Sequence, residues 1–126
     1  MSLTGWRDAR LAIHLALTII VAGFGSVLAL PTNTFGVSSS FNFMASLASE
    51  NVWAVVLWIA STIGFVGMVT HSKAMRFISV LVLATAHGIL GISFALAPQF
   101  GTGAITYTVI AGLGYYLAWR RTIEGV

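Results

Sequence analysis

A chain of 126 residues that is 58% apolar and only 7% charged cannot cover a water-exposed surface, because soluble domains carry about 25% charged residues. The length predicts a single domain, residues 1–126, by the usual size relation. A formal charge of +3 is too sparse for a nucleic-acid footprint, which needs a clustered basic face, and the absence of cysteine excludes disulfides, thiol catalysis and thiolate metal sites.

Arg7 and Arg10 precede the first apolar run, Leu11 to Leu30, which ends at Pro31. Secretory signals begin in a similar way, but their apolar core is about 7–15 residues. This run of 20 residues predicts an uncleaved first span. Twenty helical residues rise about 30 Å, the thickness of the hydrocarbon core. Helix is the state that pairs every backbone group within such a segment.

A long connection follows, from Pro31 to Glu50. Pro31, Thr32, Asn33, Thr34 and Gly36 are turn formers. Ser38 to Ser40 predict a cap for a short helix over Phe41 to Ala48, lying at the interface or lidding a bundle. Loops beyond about 12–15 residues are uncommon unless they have a function. Phe35, Phe41, Phe43 and Met44 are therefore candidate interaction residues of this outer loop.

Asn51 to Thr70 is the second expected span, and a tight turn from His71 to Arg76 leads to the third, Phe77 to Ala97. A second short turn, Pro98 to Gly103, leads to a fourth span over about residues 102–119, which Gly112 and Gly114 weaken locally. Arg120 and Arg121 close it. Basic residues in short loops stay on the cytoplasmic side. Lys and Arg occur only before the first span, between the second and third, and after the fourth. The pattern predicts an all-α polytopic membrane protein with both termini and the middle turn inside. Arg7, Arg10, Lys73, Arg76, Arg120 and Arg121 are then inner-leaflet anchors, each contributing about 1 kcal/mol near anionic lipid. Trp6, Tyr115, Tyr116 and Trp119 fit the inner aromatic belt, and Phe35, Phe41, Phe43 and Trp53 the outer one.

Chemistry is thinly supplied. The acids are Asp8, Glu50 and Glu124, all expected at or outside the interfaces, with Glu50 opposite the other two. His14, His71 and His87 fall at different depths, so they do not converge on a metal. No enzyme, cofactor or metal site is expected. His87 falls near the midplane, where a polar side chain is costly and faces the bundle interior. Ser61 and Thr62 lie at the same depth, with Thr18 a further partner. The group either fixes helix register or lines a wet path that titrates. Small residues four apart permit close helix approach: Ala22 and Ser26, Gly25 and Ala29, Ala60 and Gly64, Thr108 and Gly112. Ala84 and Gly91 flank His87 in the same way, and Gly88 and Gly91 are expected opposite Gly64 and Gly67. These faces pack within one bundle or between copies.

The segment Leu30-Pro31-Thr32-Asn33-Thr34-Phe35, then Ser38 to Phe41, Met44 and Glu50-Asn51-Val52-Trp53, resembles small polytopic membrane proteins encoded by tailed bacteriophages. Gly101-Thr102-Gly103-Ala104, Tyr107 and Trp119-Arg120 are similar to their closing span. In place of the family's Leu-Pro-Gly this chain has Thr32. The resemblance implies a bacterial inner membrane during infection but no established mechanism, and such proteins are often labelled holin-like or simply membrane proteins. The first expectation is thus a pore-forming or membrane-perturbing protein. The alternative is a scaffold or interaction protein, for superinfection exclusion or as an assembly anchor, working through loop 31–50. A transporter is disfavoured by the missing intramembrane acid and the lack of internal repeats. Expected partners are the lipid bilayer and either further copies of the chain or another membrane protein; no small-molecule substrate is evident.

Overall fold

The computed structural model describes residues 3–31, 33–98 and 102–124, excepting the side chains of residues 3, 4, 6 and 124. Of the positions singled out above, Gly101 and Thr32 and the side chains of Trp6 and Glu124 lie outside this description. All regular structure among the described residues is helical. Four long helices dominate: α1 (Leu3–Ala29), α4 (Glu50–Val69), α5 (Lys73–Ala95) and α6 (Thr102–Glu124). Between α1 and α4 lie α2 (Thr34–Val37), a 3-10 turn (Ser39–Phe41) and α3 (Asn42–Leu47).

The boundaries follow from local chemistry. α1 and α5 stop shortly before Pro31 and Pro98, because the residue before proline is driven out of helical conformation. Ser49 caps α4 by accepting from the Val52 N–H, and Ser72 caps α5 by accepting from the Met75 N–H. Asn33 does the same for α2 through Gly36. Each cap satisfies a donor that the helix start leaves open.

Three segments are long and apolar enough to cross a membrane: Arg7–Ala29, Glu50–Val69 and Lys73–Ala95. α6 is as long as α5, at 23 residues, but Thr, Gly and Tyr dilute its apolar content.

Consecutive long helices pack antiparallel. Gly25 lies against Ala54 and Leu57, and Thr18 against Gly64, so α4 runs back along α1. Gly64 meets Leu83 and Gly67 meets Ser79, returning the chain along α5. Gly103 meets Phe94, Gly91 meets Thr108 and Gly114 meets Ala84, so α6 descends beside α5 over most of its length. Leu17, Val21 and Leu28 of α1, Leu57 of α4 and Leu83 and Leu90 of α5 fill the centre.

The segment between α1 and α4 folds back over one end of this bundle. Phe41 stacks on Phe35 with ring centroids 5.6 Å apart and meets Phe24 and Phe94 edge-on at 5.8 and 5.6 Å. Met44 is 0% exposed. The Trp53 indole N–H donates to the Met44 carbonyl at 2.8 Å, and the Ser93 hydroxyl to the Ser40 carbonyl at 2.6 Å. The Glu50 carboxylate accepts from the Thr34 and Phe35 N–H groups at 3.0 and 3.4 Å. The expectation that Phe41 and Met44 face a partner is therefore corrected. Both plug the end of the core, because burying a Phe or Met side chain is worth about 1.5–3 kcal/mol. Phe35 and Phe43 are half-buried.

Candidate functional site

The polar interior of the bundle lies at the opposite end. Arg7, Arg10 and His14 follow one another down α1, Arg76 and Ser79 open α5, and Arg121 sits in the last turn of α6. His14 is 1% exposed and Arg121 only 9%. A cavity of about 270 Å³ opens between these helices, lined by the four arginines, His14 and Asp8 among others.

Donor and acceptor rules fix the protonation inside this cluster. Arg121 Nη2 stands 3.4 Å from His14 Nδ1. A guanidinium can only donate, so Nδ1 must be the bare nitrogen and Nε2 carries the hydrogen. Nε2 lies 3.3 Å from the Ser79 hydroxyl and donates to it. Ser79 in turn donates to the Arg76 carbonyl at 2.9 Å. The result is a directed chain from Arg121 through a neutral imidazole and a hydroxyl to the backbone of α5. Gly67 makes room for it, since a Cβ there would overlap Ser79. Arg76 Nε donates to the Thr70 carbonyl at 2.9 Å, closing the C-terminal end of α4.

The chain does not exhaust the donors. Among the described residues Arg121 Nη1 is buried with no hydrogen-bond partner. Burial, and next the neighbouring Arg76 and Arg10, lower the Arg121 guanidinium from its ordinary value to about 10. It remains charged at neutral pH. Because the folded value lies below the ordinary one, the cost of this buried charge is present below about 10 and is relieved only as pH rises from there toward the ordinary value.

The other expected site residues are placed as follows. His87 is fully buried, but it does not meet Ser61, Thr62 or Thr18, which corrects the expected polar contact. His87 Nδ1 donates to the Leu83 carbonyl at 2.8 Å on its own helix, leaving Nε2 without a partner. Its ring faces Tyr107 of α6 at 6.3 Å between centroids. Ser61 and Thr62 both donate to the Trp58 carbonyl, and Thr18 to the His14 carbonyl, each at 2.9 Å. A hydroxyl on a helix reaches a carbonyl three or four residues back without help from a neighbour, so equal depth did not make these groups partners.

Of the expected packing residues, Gly25, Gly64 and Gly91 stand at close helix contacts, and Ala60 and Ala84 are buried. Gly91 faces α6, not α4, and Gly88 and Gly112 have open space where a Cβ would be. Ala29 is exposed. Gly114, which meets Ala84, takes the place expected of Gly112 on α6. Among the anchors, Arg7 and Lys73 are exposed and Arg10, Arg76 and Arg120 half-buried, whereas Arg121 turns inward.

The His14–Ser79–Arg121 cluster was missed from sequence, although a signal exists. Gly114, Leu117, Ala118 and Arg121 share one buried stripe of α6, and Arg10, His14, Leu17 and Val21 one stripe of α1. Followed past the apolar run, each stripe carries a basic residue into the bundle. Among the described residues, no three His, Asp or Glu side chains converge as a metal would require. No family model, curated protein or solved structure matches the chain.

Proposed function

We propose that this chain is a four-span protein of a bacterial inner membrane, with its basic end in the cytoplasm, acting without enzymatic chemistry as a holin-like pore-forming or membrane-perturbing protein. The packing of α6 along α5 supports the fourth span: where α5 crosses, a helix antiparallel to it over most of its length crosses too. The closed interior of a single copy carries the functional reading. Leu83 and Leu90 are fully buried at its centre, and Phe41 and Met44 plug the end away from the arginines. A route for ions or solutes then has to form between copies, through the apolar faces that one copy leaves open. On α6 that face is Ile105, Val109, Gly112 and Tyr116, all exposed, with open space beside Gly112 for a close approach.

Induced expression in a bacterium should collapse the membrane potential abruptly, read with a potential-sensitive dye. Cells that accumulate the protein in the membrane and keep both growth and potential would overturn the pore reading. They would favour the second reading, docking of a membrane partner on the segment between α1 and α4. That surface would use Val37, 83% exposed, and Leu47, 61% exposed, in place of the buried Phe41 and Met44.

A further inference from the structure

Four guanidinium groups from three helices face one cavity, Arg7 and Arg10 from α1, Arg76 from α5 and Arg121 from α6, together with exposed Asp8 and buried His14. Among the described residues one carboxylate stands against four cations in this lining, which leaves it positive, and low-dielectric walls focus such a field. The helix dipoles do not decide this charge, because the starts of α1 and α5 and the ends of α4 and α6 meet at the same end and offset one another. Arg121 is nine-tenths buried and holds one nitrogen, Nη1, with no acceptor. His14 cannot relieve it, since its one free lone pair already takes Nη2. A desolvated guanidinium with an unused donor is a costly feature unless a ligand supplies the acceptor.

We propose that this cavity binds a phosphate group, gripped by Arg121 and Arg76 with Arg7 and Arg10 at its mouth. The planar fork of arginine matches a phosphate oxygen pair. The volume of about 270 Å³ suits an oxyanion with several waters, each taking about 30 Å³. The phosphate belongs either to an anionic lipid headgroup, for which a basic pocket between helices at a membrane surface is a suitable seat, or to a soluble phosphate. The site does not depend on the pore reading.

The test uses the full chain in maltoside micelles, which contain no phosphate, at fixed ionic strength. One arm adds inorganic phosphate; the other adds short-chain phosphatidylglycerol, with the matching diacylglycerol as blank. Saturable thermal stabilisation by the lipid alone assigns the site to headgroups, and stabilisation by inorganic phosphate assigns it to a soluble anion; either supports the site. Arg121→Gln should weaken the apparent affinity about tenfold, the loss expected for one charge-assisted hydrogen bond. Lys73→Gln, an exposed cation outside the cavity, should leave it unchanged. If Arg121→Gln fails to fold by circular dichroism, the double variant Arg7→Gln, Arg10→Gln carries the test, with weakening again expected. No saturation by either probe overturns the proposal. So does a loss with Lys73→Gln as large as that with the cavity variants, which would mean diffuse attraction.

Discussion

At the scale of single residues, the buried imidazole of His14 is held at both ring nitrogens. Its two nitrogens have opposite jobs, one accepting from Arg121 and one donating to Ser79. Removing the serine hydroxyl takes away one acceptor of the buried ring and leaves it only the Gly64 carbonyl. Ser79→Ala should therefore lower stability by about 1–2 kcal/mol, at the upper end of what hydrogen bonds between membrane helices contribute. Unfolding followed by circular dichroism in micelles checks this, and a variant as stable as the parent would mean that water takes over the acceptor role. His87 is a different case. Its hydrogen bond stays on its own helix, its Nε2 is a lone pair without a partner, and its ring lies beside that of Tyr107. A polar residue at mid-bilayer invites a search for a partner at equal depth, but depth alone does not set direction around the helix axis. The sequence shows the rise along each span well and the rotation of one span against another poorly.

The same distinction governs whole elements. Length, apolar content and, for α1 and α5, the flanking prolines make the long helices legible, because a run apolar enough to cross a membrane pairs its backbone within itself only as a helix. The short connection is legible only in part. One helix over residues 41–48 is expected; α3 covers residues 42–47 of it, and a break at Phe41 leaves that residue to a preceding 3-10 turn. Ser38 caps the turn by accepting from Ser40, and the break lets Phe41 swing inward onto Phe24 and Phe94. In α6 the spacing of Thr108 and Gly112 suggests one contact face, yet Thr108 meets Gly91 while Gly112 meets nothing. Two small-residue stripes run down that helix, and spacing cannot choose between them. Stability separates them. A Cβ on Gly114 would come within 2.8 Å of the Ala84 Cβ and 3.3 Å of its Cα, backbone that cannot step aside. Gly114→Ala should cost about 1–3 kcal/mol through overpacking. Gly112→Ala should leave the monomer unchanged or gain up to about 1 kcal/mol of helix propensity. Parallel melting curves decide, and equal losses would mean that the face of α6 turned toward α5 is wrongly assigned.

Taken whole, the molecule is polarised from end to end. Aromatic packing of Phe24, Phe35, Phe41 and Phe94 closes one end, and an arginine-lined cavity opens the other. The grouping of basic residues foretold which chain segments meet at that second end. It did not foretell that Arg121 leaves the surface, because adjacent Arg120 and Arg121 look equivalent until the buried stripe of α6 is traced through Leu117 and Ala118 to one of them. Helix packing brings Arg7, Arg10, Arg76 and Arg121 around one cavity whatever the surrounding medium, but the side of the membrane they occupy is a separate matter. The chain contains no cysteine, so single-cysteine variants report it cleanly. Lys73, Thr122 and Val37 are exposed, and the first two belong to the basic end. In intact cells a membrane-impermeant maleimide should label Val37→Cys, while Lys73→Cys and Thr122→Cys should react only after the membrane is opened. An α6 that lay along the outer surface instead of crossing would expose Thr122→Cys together with Val37→Cys. Labelling of Lys73→Cys and Thr122→Cys from opposite sides would separate α6 from α5 and remove the shared end on which the cavity depends.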